Sequence, residues 1–214
     1  MVTWTTADFG DCSGVRLIET LRWDGAGIQH LALHLARLRD SAQRLGFACD
    51  PAAAAAALHG VAPVGRAARM RLTLDAMGGL TATAADLPMA QPVWRLGLAS
   101  ARLRSDDPWL SVKSTRRAIY DDARALLPQG LDEVIFLNER GEVCDGTITS
   151  VFFDTGSGLF TPPLRCGLLP GVLRAEMLAR GQLREAVLDG ADLATARLWV
   201  GNSLRGLIPA IWVG

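Results

Sequence analysis

The chain has 22 basic side chains, and Lys113 is the only lysine among them; the other 21 are arginines. A guanidinium stays protonated and is no amine nucleophile, whereas a lysine amine can shed its proton and condense with a carbonyl. Any imine chemistry in this chain therefore falls to Lys113. A bias toward arginine would also leave one stray lysine, so the neighbourhood must decide. That neighbourhood, SVKSTRRAIYDDARA, sets Lys113 between a loop and a helix. Other polar groups stand at the edges of regular elements. Asp145 lies in EVCDGTITSVFF, flanked by apolar strand residues. A helix begins after LLPG, which leaves the backbone N–H groups of Val172 and Leu173 pointing outward with room for a phosphate. Arg37 sits in HLARL, and Ser203 in GNSLRG just after a strand.

Other chemistries lack their residues. Phosphate loops of the GxxxxGK[ST] and GxGxxG kinds and a GxSxG elbow do not occur. His30 and His34, four apart, share a helix face, but no glutamate lies between them and no third ligand is evident, so no metal is expected. Cys12, Cys49, Cys144 and Cys166 form no CxxC pair and read as reduced thiols. Acidic and basic groups balance at 22 each, which argues against nucleic acid or an anionic membrane as partner. There is no apolar run of membrane-spanning length and no signal-like start, so a cytoplasmic protein is expected.

Strands and helices alternate along the chain, the pattern of mixed α/β architecture. Residues 15–23 read as a strand turned by Asp24-Gly25, and residues 30–47 as an amphipathic helix with Leu31, Leu35, Leu38 and Leu45 on one face. Residues 51–60 form an alanine-rich helix with Asp50 as cap and Pro51 at its first position. In ARMRLTLDAM, Met70, Leu72 and Leu74 point one way while Arg69, Arg71 and Thr73 point the other. The small, proline-bearing stretch GGLTATAADLPMAQP reads as a linker. It divides a small N-terminal domain, 1–88, from a larger one, 89–214, that carries Lys113. In the latter, strands are expected at VWRLGLASA, EVIFLN, SVFFD, LFT, ARLWVGNS and GLIPAIWV, and helices at RRAIYDDARALL and VLRAEMLARG.

IETLR, HLARLRDSAQRLGF, KSTRRAIYDDARA, NERGEVCDGTITSVFF, LFTPPLRCGLLPGVLR and NSLRGLIPA, in that order, resemble the class IV aminotransferase family. These are the fold-type-IV pyridoxal-phosphate enzymes, among them branched-chain and D-amino-acid aminotransferases and 4-amino-4-deoxychorismate lyase. The resemblance implies a homodimer whose chain folds into two α/β domains with pyridoxal 5'-phosphate between them. By it, Lys113 carries the cofactor as a Schiff base and shuttles the proton at the substrate Cα. Asp145 falls where the family has a glutamate facing the pyridine nitrogen, one methylene shorter. Arg37, the Val172 and Leu173 amides and the Ser203 hydroxyl would form the phosphate cup. Ser150 stands where asparagine is frequent, and Leu173 where threonine is. The place of a carboxylate-binding Arg-Gly reads Met-Gly-Gly, and the N-terminus is short for the family. Arg22, Arg71 and Arg205 become the candidates for substrate carboxylates.

Branched-chain members have a tyrosine five places after the lysine; here that place is Ala118, and Tyr120 comes seven after. With KSTRRAIYD and NSLRG this favours the lyase, forming 4-aminobenzoate and pyruvate. The alternatives are a branched-chain or D-amino-acid aminotransferase, or a relative that binds cofactor without catalysis.

Overall fold

The computed structural model describes residues 4–214, which divide into two compact units. Unit 1 comprises Met1–Met89 together with Val112–Arg116, and unit 2 comprises Ala90–Ser111 and Arg117–Gly214.

Unit 1 holds helix α1 (Thr6–Phe9), strand β1 (Leu17–Trp23), helices α2 (Leu31–Leu45) and α3 (Pro51–Gly60), and strands β2 (Ala68–Leu74) and β3 (Leu80–Ala85). The three strands form an antiparallel sheet in the order β1-β2-β3. Period-two alternation buries Met70, Leu72 and Leu74 and exposes Arg69 and Arg71, because successive side chains leave a strand on opposite faces. On the buried face Leu17, Glu19 and Leu21 stand opposite Leu74, Leu72 and Met70. Helix α2 lies against β1 and buries His34, Leu38, Ala42 and Leu45 at helical spacing. Gly46 ends it at φ 70, a left-handed conformation that glycine enters without cost. The Asp50 carboxylate accepts the Ala52 N–H at 2.8 Å and Pro51 opens α3, as the capping pattern predicts.

The stretch expected to be a linker holds a strand instead. Leu80–Ala85 is strand β3, paired with β2 from Leu74↔Leu80 to Arg69↔Ala85. Its alternation of leucine and alanine with threonine is a strand pattern written in small side chains, and the proline-bearing remainder of the stretch masks it. The lysine segment also joins this unit. Ile18 N–H donates to the Lys113 carbonyl at 2.8 Å and Thr115 N–H to the Arg16 carbonyl at 2.9 Å, with Leu17 opposite Ser114.

Unit 2 runs β4 (Trp94–Leu98), α4 (Ala118–Ala125), β5 (Glu133–Leu137), β6 (Val143–Gly146), β7 (Ser150–Asp154), β8 (Phe160–Thr161), α5 (Val172–Ala179), β9 (Arg184–Glu185), β10 (Arg197–Asn202) and β11 (Gly206–Trp212). Eight strands follow the order β10-β11-β4-β5-β6-β7-β8-β9, and β10 also pairs with β7. That extra pairing closes β4, β5, β6, β7, β10 and β11 into a barrel, which removes most free edges. Trp94, Leu96, Ile135, Val143, Val151, Phe153, Leu198 and Val200 pack together as its core. Outside it, Tyr120 and Ala123 of α4 pack on Phe136 and Val134 of β5, while Leu173 and Met177 of α5 pack on Phe152 of β7. Among the described residues no helix is long and apolar enough to cross a membrane.

Candidate functional site

In unit 1 the site residues hang from β1. The Arg37 guanidinium reaches the Glu19 carboxylate with Nε at 2.9 Å from Oε1 and Nη2 at 2.6 Å from Oε2. The fork matches the carboxylate and fixes both planes at once. His34 Nδ1 lies 2.6 Å from Glu19 Oε2, while its Nε2 is buried without a hydrogen-bond partner among the described residues. Nδ1 is therefore the protonated nitrogen and donates to the carboxylate. Burial works to raise the Glu19 carboxyl. The Arg37 charge and the donors from His34 and Arg37 outweigh it and hold the group at about 2. Burial pushes His34 down against the pull of Glu19, so its imidazole stays neutral at pH 7. Glu19, only 2% exposed, thus sets the direction of a cation one helix away. The lysine backbone lies opposite Ile18, next to Glu19 along β1. Arg22 and Arg71 share the other face of the sheet, opposite Arg69 and Thr20 respectively, and Arg71 is exposed.

In unit 2 the register lines up a second group. Asp145 of β6 pairs with Ser150 of β7, and Ser150 pairs with Gly201 of β10. This row crosses two strand spacings, about 9–10 Å. Asp145, at one end, is 5% exposed. The Leu169 N–H donates to its Oδ2 at 3.2 Å and the Tyr120 hydroxyl to its Oδ1 at 3.3 Å. Burial raises the Asp145 carboxyl to about 7, against the lowering by these donors, with Glu133 adding to the rise. Such a carboxyl gains stability from a cationic N–H brought against it.

At the row's other end α5 begins at Val172. Its N-cap, Gly171, offers no side-chain cap, and no acid stands in the first turn, so the Val172 and Leu173 amides keep the positive end of the helix. The approach at Gly171 is close: a Cβ there would lie 2.5 Å from Ser150 Oγ, so the serine hydroxyl would have to turn away. A Cβ on Gly201 would lie 2.5 Å from the Gly206 carbonyl oxygen and 2.9 Å from Leu173 Cδ2. The Leu173 side chain belongs to the core with Phe152 and Met177, so this position contributes its amide and no hydroxyl. Ser203 lies in the β10–β11 turn. The Asn202 carboxamide oxygen holds that turn by accepting the Leu204 and Arg205 N–H groups at 3.1 and 3.0 Å. The Arg205 guanidinium stacks over the Trp94 ring at 5.2 Å.

Four contributors carried no plain signal in the sequence. Glu19 lies in a strand, where an acid reads as a solvent-facing residue; its neighbour in the signal was Arg37, eighteen positions on. Asn202 carried a turn signature in GNSLRG, and Leu169 contributes only its amide. Glu133 is fully buried and accepts from Thr147 Oγ1 at 2.5 Å, Thr149 Oγ1 at 3.0 Å and Ile148 N–H at 3.2 Å, which fastens the turn between Asp145 and Ser150.

A small three-stranded α/β unit and a barrel unit that sets a buried acid and a helix N-terminus along one row of strands define a recognisable class of protein. The family model for class IV amino-transferases matches residues 16–211, and the chain belongs to that family of enzymes. A Mesorhizobium loti protein provisionally named an amino-acid aminotransferase is 49% identical, with TM-score 0.88 over 93% of this chain and 100% of that one. The 4-amino-4-deoxychorismate lyase of Pseudomonas aeruginosa is 25% identical, with TM-score 0.82 over 94% of this chain and 84% of that one. The aminodeoxychorismate lyase of Bacillus subtilis is 33% identical over 116 residues, which is 51% of this chain and only 37% of the Bacillus protein. The two-domain, fold-type-IV architecture expected from the motifs is thus the fold of this chain.

Proposed function

We propose that the chain is a pyridoxal-phosphate enzyme that carries its cofactor as a Schiff base on Lys113. Its proposed reaction is that of a 4-amino-4-deoxychorismate lyase, giving 4-aminobenzoate and pyruvate. The observation that carries the reading is the row Asp145–Ser150–Gly201, with a buried carboxyl at one end and the uncapped start of α5 at the other. A flat heteroaromatic ring with a ring nitrogen and a phosphate arm matches this donor set in chemistry. Asp145 would hold a proton on the ring nitrogen. The Val172 and Leu173 amides and the Ser203 hydroxyl would hold the phosphate, and Arg37 is a candidate cation for it by the family resemblance alone. Bound pyridoxal phosphate supplies an electron sink for a carbanion at the substrate Cα.

The chain's own residues would do the rest. The Lys113 amine, when neutral, takes the Cα proton and returns it where the product requires it. Glu19 keeps Arg37 oriented through two hydrogen bonds from its guanidinium. Arg22, Arg71 and Arg205 are the candidates to hold substrate carboxylates. We also propose a homodimer, in the cytoplasm, where four free cysteines are at home. The 49% identity to the Mesorhizobium protein favours a second reading, an aminotransferase acting through the same residues. Two assays decide between them. Aminodeoxychorismate alone should yield fluorescent 4-aminobenzoate. L- or D-amino acids with 2-oxoglutarate should yield no glutamate. Glutamate without 4-aminobenzoate would establish the aminotransferase, and neither product would overturn both readings.

A further inference from the structure

Asp145 is one methylene shorter than the glutamate of the resembling enzymes, and a short carboxylate has less reach with which to meet a partner. Its surroundings compensate in an identifiable way. The Tyr120 hydroxyl donates to Oδ1 at 3.3 Å and the Leu169 amide to Oδ2 at 3.2 Å, so each carboxylate oxygen has one donor and the two together favour one orientation of its plane. Each carboxylate oxygen has two lone-pair directions, so one on each remains to accept a further donor. Tyr120 is itself fixed. Its ring stands edge-on to Phe136 at 5.1 Å and 70°, and the Arg117 guanidinium lies over it at 5.5 Å. Arg117 in turn donates to the Thr147 carbonyl and the Asp121 carboxylate, both at 2.8 Å. The titratable and charged groups acting on this contact are Arg117, Glu133 and Cys144.

We propose that Tyr120 is a positioning residue, whose hydroxyl orients the Asp145 carboxylate toward the ring nitrogen of the ligand. The inference rests on the pyridoxal-phosphate reading and deepens it. Tyr120→Phe keeps the ring packing and deletes the hydroxyl alone. Losing a hydrogen bond to a charged group that must hold a fixed plane should weaken pyridoxal phosphate binding about ten- to a hundredfold.

Two probes read the effect by equilibrium titration, pyridoxal phosphate and a carbocyclic analogue with C–H in place of the ring nitrogen. Tyr120→Phe should weaken the first and leave the second unchanged. A role confined to packing would weaken both alike and would overturn the proposal. In Asp145→Glu the longer acid reaches unaided, so adding Tyr120→Phe should cost nothing further; an equal loss in that background also counts against it. Tyr120 is the only tyrosine in the chain, so its ionisation can be followed by tyrosinate absorbance without any ligand. That ionisation should fall in Asp145→Asn, and an unchanged titration overturns the contact even if Tyr120→Phe fails to fold. Wild-type protein that binds neither probe overturns the function reading and with it this role. Wild-type binding that Tyr120→Phe leaves unaltered overturns the role alone.

Discussion

Glu19→Gln tests whether a buried carboxylate organises the Arg37 cation. The substitution keeps shape and removes the charge that accepts from His34 Nδ1 and twice from Arg37. Glu19 titrates at about 2 in the folded chain against 4.5 ordinarily. A depressed carboxylate contributes stability that is fully present above the unfolded value and is lost as pH falls through the folded one. The shift of roughly 2.5 units, at about 1.4 kcal/mol per unit, sets a contribution of about 3 kcal/mol at pH 7. Removing one partner of a buried ion pair gives a comparable cost, about 3–5 kcal/mol, because the other charge is left behind. Urea unfolding followed by far-UV circular dichroism at pH 7, 5, 4 and 3 reads the difference between variant and parent. Glu19→Gln should be about 3 kcal/mol less stable at pH 7, with the gap closing between pH 4.5 and 2. Titrating groups out of contact with Glu19 shift both proteins alike and cancel, whereas His34 does not, because Glu19 pulls its imidazole upward. A gap below about 1 kcal/mol at pH 7, or one that stays constant down to pH 3, would refute the reasoning.

Three further outcomes are expected. Asp145 has a raised carboxyl, so the folded chain holds a proton that the unfolded chain has released between pH 3.8 and about 7. Its contribution is therefore fullest below 3.8 and is lost as pH rises through 7, by about 4 kcal/mol in all; Asp145→Asn should flatten that limb of the urea midpoint profile, and an unchanged slope would contradict the burial argument. Gly201→Ala forces a methyl to 2.5 Å from the Gly206 carbonyl oxygen, which should cost about 1–3 kcal/mol by urea unfolding and weaken phosphate binding; a neutral result would mean the β10–β11 turn yields freely. Lys113→Arg keeps the charge and loses the nucleophile, so its turnover should be as low as that of Lys113→Ala, and appreciable activity in the arginine variant contradicts the role.

The sequence made most of this arrangement readable because its elements announce themselves locally. Helix α2 declares itself through leucine spacing, α3 through Asp50 and Pro51, and β2 through alternation of arginine with apolar residues. β3 was hidden because Thr81, Ala82, Thr83 and Ala84 are small and contribute little contrast between faces. The attachment of Lys113 to β1 was not legible for another reason. It depends on hydrogen bonds that join residues about a hundred positions apart, and no local pattern encodes such a pairing. The chemistry followed the same division. Lys113, Asp145 and the start of α5 were visible as residue types at element edges. Of the residues that orient them, Glu19 and Glu133 became visible only as partners across strands and helices, and Tyr120, noticed for its spacing from the lysine, showed its partner only there.

The central claim is a covalent bond between pyridoxal phosphate and the side chain of Lys113. Incubation with pyridoxal phosphate, reduction with borohydride and tryptic mass mapping test it directly, since Lys113 is the only lysine in the sequence. The account predicts one reduced pyridoxyl-phosphate adduct per chain on the peptide that contains Lys113, and none on Lys113→Arg. An adduct found only at the amino terminus, or a chain that takes up no label, would contradict it.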